Sequence, residues 1–170
     1  MPLTMHNASI PVFLQSLGAL ELILAKAEAH AAARKIAPDA ILFARLFPDM
    51  FHLTRQIQIA CDFAMKTTAR LAGQEPPKVE DGEKSFDEVK ARIARAIAYL
   101  KAADVAAIDA SADRDITFPI GPNQMTMTGA DYLSRFALPN FYFHATTAYA
   151  ILRENGVELG KRDFLGQFTG

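Results

Sequence analysis

Asn140 and His144 stand four residues apart in Asn140-Phe-Tyr-Phe-His144, the spacing at which one helical face presents two side chains one turn apart. Leu133, Phe136, Thr147 and Ile151 recur on that face, so the two polar groups project from an apolar stripe. Burying either without a partner would cost about 1–3 kcal/mol. They therefore satisfy one another and nearby groups, or they face a pocket. A pair at i and i+4 is also how a helix offers a cation two ligands, although Asn is a poorer transition-metal ligand than His. His52, expected in the first turn of an earlier helix, is the obvious third member. The functional reading is a polar inner pocket lined by His144, Asn140, His52 and Thr147. His144, His52 and Asn140 are its candidate donors for a divalent metal such as zinc, nickel or iron. The blander reading is a hydrogen-bonded polar pair in a helical core, with an unrelated histidine at a helix start.

Other groups offer less chemistry. Glu21 and Glu28 fall near the inner face of the first helix and could supply carboxylates, but solvated glutamates are commoner. A di-iron site in a bundle uses Glu-x-x-His on two helices, and that motif does not occur. His30 suits the C-terminal dipole of the first helix, and His6 lies in the terminal segment. There is no Gly-x-Ser-x-Gly, phosphate loop or dinucleotide fingerprint. Cys61 has no basic sequence neighbour to lower its pKa and is expected to pack as a small apolar side chain.

The elements that must position these groups are four long helices. The first should run from Ser9 to Lys35, with Pro11 in its first turn. Phe13, Leu17, Leu20 and Leu24 form one face, while Leu22, Ala25, Ala29 and Ala33 make the opposite side apolar as well. A helix apolar nearly all round is buried on two sides, so a homodimer through this helix is expected. Pro48 sits where the second helix would begin, followed by a stripe of Leu53, Ile57, Ala60, Ala64 and Leu71, with Gly73 as its stop. Residues 74–84 are polar, contain Pro76-Pro77, and predict a surface loop. Ser85 and Glu88 form a capping box for the third helix, whose buried stripe is Phe86, Val89, Ile93, Ile97 and Leu100. Glu88 and Arg92 are expected as an exposed i,i+4 pair, worth a few tenths of a kcal/mol.

Asp115–Ile120 and Gln124–Thr128 alternate like two short strands around Gly121-Pro122-Asn123. The fourth helix should start at Thr128 or Ala130 and reach Asn155, kinked near Pro139 and stopped by Gly156. The expected fold is thus an all-α four-helix bundle in one domain over residues 1–170, with a hairpin-like excursion between the third and fourth helices.

Composition narrows the function classes. About half of the residues are apolar (51%) and the net charge is −1, which argues against disorder and against a phosphate-binding basic face. No nucleic-acid partner is expected. The first residues lack the basic and apolar regions of a signal peptide. No stretch approaches the ~20 uninterrupted apolar residues of a membrane span, so no membrane partner is expected either. A lone cysteine suits a reducing compartment, and a cytoplasmic location is expected.

Three stretches resemble a bacterial family of unknown function within the DinB/YfiT-like superfamily. They are Asn140-Phe-Tyr-Phe-His-Ala-Thr-Thr-Ala-Tyr-Ala-Ile-Leu-Arg-Glu-Asn-Gly-Val with Gly160-Lys-Arg-Asp-Phe-Leu-Gly after it, Pro11-Val-Phe-Leu-Gln-Ser-Leu, and Arg45-Leu-Phe-Pro-Asp-Met leading into Gln56-Ile-Gln-Ile-Ala-Cys-Asp-Phe-Ala. The resemblance spans nearly the whole chain. It implies a four-helix bundle, commonly dimeric, in a superfamily whose better-known members hold a divalent metal with three histidines. His144 matches the third of those ligands and His52 is the candidate for the first. Asn140 stands where the second would be, which departs from the pattern.

Two functions follow as expectations. One is a non-catalytic dimeric bundle that binds a small molecule or a protein at the polar pocket between the second and fourth helices. The other is a divalent-metal-dependent enzyme of thiol-transferase or hydrolase type, using His144 and His52 for Lewis-acid activation of a water or thiol.

Overall fold

The chain is described over residues 3–167 in a computed structural model, and it is mostly helical with one small sheet. In order the elements are α1 (Ile10–Arg34), α2 (Pro38–Leu42), α3 (Leu53–Leu71), α4 (Phe86–Lys101), α5 (Val105–Asp109), β1 (Asp115–Ile120), β2 (Asn123–Thr128), α6 (Gly129–Asp131), a π-helical turn (Tyr132–Ala137), α7 (Leu138–Glu154) and α8 (Lys161–Leu165). The four long helices pack pairwise, most extensively α3 on α7, then α1 on α4 and α3 on α4. One apolar core joins them, with Phe13, Leu17, Ile57, Ile93, Phe141 and Ile151 among its fully buried members.

Local chemistry sets the helix ends. Ser85 and Glu88 make the expected capping box, Ser85 Oγ accepting from the Glu88 amide at 3.2 Å and Glu88 accepting from the Ser85 amide at 3.1 Å. The start of α3 differs from expectation. Pro48 lies in a turn closed by Met50 N–H on the Phe47 carbonyl at 3.0 Å, and the helix begins only at Leu53. His52 is therefore the N-cap and not a first-turn residue, its Nδ1 accepting from the Arg55 amide at 3.3 Å. Asp, Ser or Thr would commonly do this work, and here an imidazole does it.

The fourth helical segment is also as much shaped by chemistry as by packing. Pro139 has no N–H to give to the preceding turn, and the backbone before it widens into the π-helical turn, where Leu138 N–H reaches the Leu133 carbonyl. Such π-bulges are often found at functional sites. β1 and β2 pair antiparallel from Asp115↔Thr128 to Ile120↔Asn123. Gly121 takes the positive φ (56°) that a two-residue hairpin turn demands at its first central position, and Pro122 follows. Phe118 carries the hairpin's anchor, packed at 4.6 Å from Phe136 and 4.8 Å from Tyr132.

α1 is long and apolar enough to cross a membrane by length and composition, yet its Phe13, Leu17, Leu20 and Leu24 belong to the core. Leu22 on its other side is 54% exposed. Glu28 points to α4, where it meets Lys90 at 2.9 Å.

Candidate functional site

α3 and α7 meet side by side, and the polar contact between them is His144 with Gln56. His144 Nδ1 lies 2.7 Å from Gln56 Oε1. The Gln56 amide is oriented by its own bond, Nε2–H to the Phe51 carbonyl at 3.1 Å, so Oε1 is the acceptor. Nδ1 must then carry the proton, which leaves a lone pair on Nε2. Among the described residues Nε2 has no hydrogen-bond partner, and the one buried side-chain atom left unpaired there is Arg92 Nε, so Nε2 keeps access to solvent. Burial, and secondarily the positive charge of Arg55, lower the His144 pKa and hold the ring neutral. Phe63 stacks on the imidazole at 6.1 Å and Phe143 meets it edge-on at 5.2 Å. His144 is thus a buried, neutral imidazole with a fixed tautomer and one outward acceptor.

The other expected site residues are engaged elsewhere. Asn140 turns back on its own helix, its amide donating to the Phe136 carbonyl at 2.7 Å. Thr147 does likewise, its hydroxyl donating to the Phe143 carbonyl at 2.7 Å. Both are local side chain-to-backbone bonds, so Asn140 and His144 share a face without bonding to each other. His52 Nδ1 accepts from Arg55, which puts the proton of the neutral ring on Nε2. Burial and the charge of Arg45 lower its pKa, while the Leu42 carbonyl works in the opposite direction. None of the four cavities described is lined by His144, Asn140 or Thr147, and the one lined by His52 encloses about 300 Å³ beside Arg55, Asp81 and Glu83.

A second polar centre was not foreseen. Arg92, expected on the surface with Glu88, is 1% exposed. Its Nη2 meets Asp62 of α3 at 2.6 Å, and its Nη1 meets Asp81 at 2.9 Å and Glu83 at 3.1 Å. Nη1 also donates to the Glu80 carbonyl at 3.0 Å. Arg55 reinforces the same strap through Asp81, and Gln58 donates to Glu83 at 2.7 Å. The segment 74–84 is a surface loop as expected, but one tied down by a buried guanidinium.

With this geometry in view, a family model described as Domain of unknown function (DUF1993) matches residues 5–165. The chain belongs to this family. A crystal structure of a DinB family member protein from Shewanella denitrificans is similar, at 41% identity over 96% of this chain and 92% of that chain, with a TM-score of 0.90. No curated protein matches the chain. The DUF1993 assignment and the DinB-like neighbour bear out the resemblance seen in the sequence.

The DinB-like relationship raises the question of whether this DUF1993 member's side chains fit a metal held by three histidines. As placed, they do not form that donor set. Asn140 offers its amide nitrogen to its own helix, and His52 has its available lone pair on the helix cap. Among the described residues no three His, Cys, Asp or Glu side chains converge closely enough to hold an ion. Of the candidate ligands, His144 alone shows the feature of a metal-binding histidine, one ring nitrogen held by a hydrogen bond to an acceptor and the other left with its lone pair. The same feature equally prepares Nε2 to accept a hydrogen bond.

Gln56 is the site residue the sequence reading missed. It lies three residues after Leu53 and four before Ala60, on the buried stripe of α3. A polar residue on that stripe, facing a helix with a histidine on its own stripe, was the available signal.

Proposed function

We propose that this chain is a non-catalytic, dimeric four-helix bundle of one domain that binds a small molecule between α3 and α7, where Gln56 meets His144. The observation that carries this reading is the His144–Gln56 bond at 2.7 Å, which leaves a neutral imidazole with its Nε2 acceptor outward. Cys61 supplies no nucleophile to it, being fully buried with its thiol pushed up to about 12 by desolvation. A binding role uses what is there. Dimerisation is supported by the outer side of α1, where Leu22 is exposed beside a groove of about 690 Å³ lined by Ile10, Leu14, Gly18, Leu100 and Val105. A lone thiol without a disulfide partner suits the cytoplasm, and a chain of near-zero net charge needs no nucleic acid or anionic surface as partner.

The second reading, a divalent-metal-dependent enzyme of thiol-transferase or hydrolase type, draws on the oriented tautomer of His144 and on the DinB-like neighbour. It requires His52 to give up its cap on Arg55. Metal content separates the two. Untagged protein purified without chelator is expected to hold far less than one equivalent of metal by elemental analysis. Near-stoichiometric metal, lost in both His144→Ala and His52→Ala, would replace the binding reading by the enzymatic one.

The dimer has its own check. Light scattering at tens of micromolar should give twice the chain mass, and Leu22→Glu should shift it to the monomer. A wild-type monomer under those conditions removes α1 as an interface.

A further inference from the structure

The start of α3 and the strap that crosses it share a cavity of about 300 Å³, with Phe43, His52, Arg55, Asp81, Glu83 and Lys84 among the residues lining it. That volume is at the lower end for small-molecule pockets. Neither His144 nor Gln56 lines it, so it is a different place from the contact between α3 and α7. Arg55 and Lys84 bring positive charge to the lining, and Asp81 and Glu83 bring negative charge. Glu83 is committed to Arg92 and Gln58, whereas Arg55 and Asp81 keep bonding capacity in hand. Arg55 meets both Asp81 and Gln58 through Nη1, so among the described residues its Nε–H and Nη2–H groups make no hydrogen bond. Those two groups form an edge of the guanidinium that a carboxylate takes with both oxygens. Asp81 receives Arg92 on Oδ1 and Arg55 on Oδ2, which leaves about half of a carboxylate's roughly four lone-pair sites open. Both side chains are partly exposed, Arg55 at 34% and Asp81 at 37%.

We propose that this cavity binds a free α-amino acid, its carboxylate on the Nε–Nη2 edge of Arg55 and its ammonium on Asp81. Each feature selects one property of the ligand. A plain anion would meet Asp81 and Glu83, and a plain cation would meet Arg55 and Lys84. The lining therefore favours a molecule that carries one charge of each sign. Arg55 and Asp81 are in contact, so the ligand's two charges must be adjacent as well. The α-carbon of an amino acid provides that adjacency, and a longer spacer does not. Neither protein group has to leave its partner, because the ligand takes only their unspent donors and lone pairs. Neutralising either end of the ligand removes a charge-assisted hydrogen bond, a loss on the order of tenfold or more. Phe43, 42% exposed with its ring 5.0 Å from that of His52, gives the amino acid's side chain an apolar wall.

Leucine, which joins both charges to an apolar side chain, is the probe, and the Arg55 Nε–H resonance reads its arrival. Leucine at millimolar concentrations should shift that resonance saturably. Three analogues each remove one property: leucinamide lacks the carboxylate, N-acetylleucine lacks the ammonium, and ε-aminocaproate, an isomer of leucine, separates the two charges. Each should bind at least tenfold more weakly. Asp81→Asn, a change on the partly exposed strap, should lower the affinity for leucine to about that for N-acetylleucine, while N-acetylleucine itself binds no more weakly than before. A merely structural role of Asp81 would weaken both compounds alike. The proposal is overturned by the absence of a saturable shift with leucine, or by any analogue that binds as tightly as leucine. It is overturned equally if Asp81→Asn leaves leucine unaffected or weakens it no more than N-acetylleucine.

Discussion

Arg92→Ala should destabilise the fold by about 3–5 kcal/mol, the cost of removing one partner from a buried ion pair and leaving the other uncompensated. The guanidinium is 1% exposed, and three carboxylates converge on it. Asp81 is partly exposed and keeps Arg55, so it loses little. Asp62, 19% exposed, keeps Lys66 at 2.8 Å, so Glu83, 10% exposed and left with the neutral amide of Gln58, is the group whose charge is uncompensated. For a chain of this size each kcal/mol moves Tm by about 2–4 °C, so thermal unfolding should shift by roughly 10 °C. Arg92→Lys should recover only part of that, because a single ammonium cannot bridge carboxylates from two elements. A loss of a few tenths of a kcal/mol, the value of an exposed helix pair, would show that the strap at 80–83 is held by something other than Arg92.

The same cluster has an acid limb. Burial raises the Glu83 pKa, but the bonds from Gln58, the backbone and Arg92 outweigh it and hold the carboxyl below its ordinary value. A depressed folded-state pKa means the unfolded chain takes up the proton first. The stability it confers is therefore complete above the ordinary glutamate value, near 4.3, and is lost as the pH falls from there through the folded value. In Arg92→Ala that acid-sensitive share should shrink.

Arg92 also shows where sequence reading stops. Features set by near neighbours were legible: the Ser85–Glu88 box, the Gly121-Pro122 turn and the disturbance at Pro139 all rest on chemistry within a few residues. Partners across the fold were not. Arg92 falls three residues after Val89 and four before Ala96, on the buried stripe, and a charge there demands counter-charges. The sequence holds many carboxylates and does not say which will arrive. It was easier to pair Arg92 with Glu88, which was already committed to its cap. The site followed the same logic. His144 was found because a polar group on an apolar stripe is conspicuous, whereas Asn140 and Thr147 look alike on the wheel and spend their bonds on their own helix. His52 drew attention as a potential ligand, and its ring turned out to hold the end of α3.

Gly129→Ala tests the support behind that site from the far end. At a helix start, replacing Gly by Ala ordinarily stabilises by roughly 0.5–1 kcal/mol through backbone entropy and propensity, and Gly129 has no positive φ to oppose it. Space opposes it instead. A methyl group at Gly129 would stand 2.0 Å from the Ser111 carbonyl oxygen and 2.9 Å from its carbon, and these are backbone atoms that cannot swing aside. The base of the hairpin is pinned there, Gly129 N–H on the Arg114 carbonyl at 2.9 Å and Ala130 N–H on the Ala112 carbonyl at 3.0 Å. Overpacking of this kind costs typically about 1–3 kcal/mol, enough to reverse the sign. Gly18→Ala, which meets nothing within 4 Å, should go the other way and stabilise a protein whose α1 groove is open. The displacement should also reach the site, because the hairpin's Phe118 packs on Phe136, Phe136 on Phe63 at 5.8 Å, and Phe63 on the His144 ring. Denaturant unfolding reads the first effect and the His144 imidazole resonances read the second. Gly129→Ala more stable than wild type would mean that the 111–114 turn yields, and an unmoved His144 signal in a destabilised variant would mean that the hairpin braces the fold without positioning the imidazole.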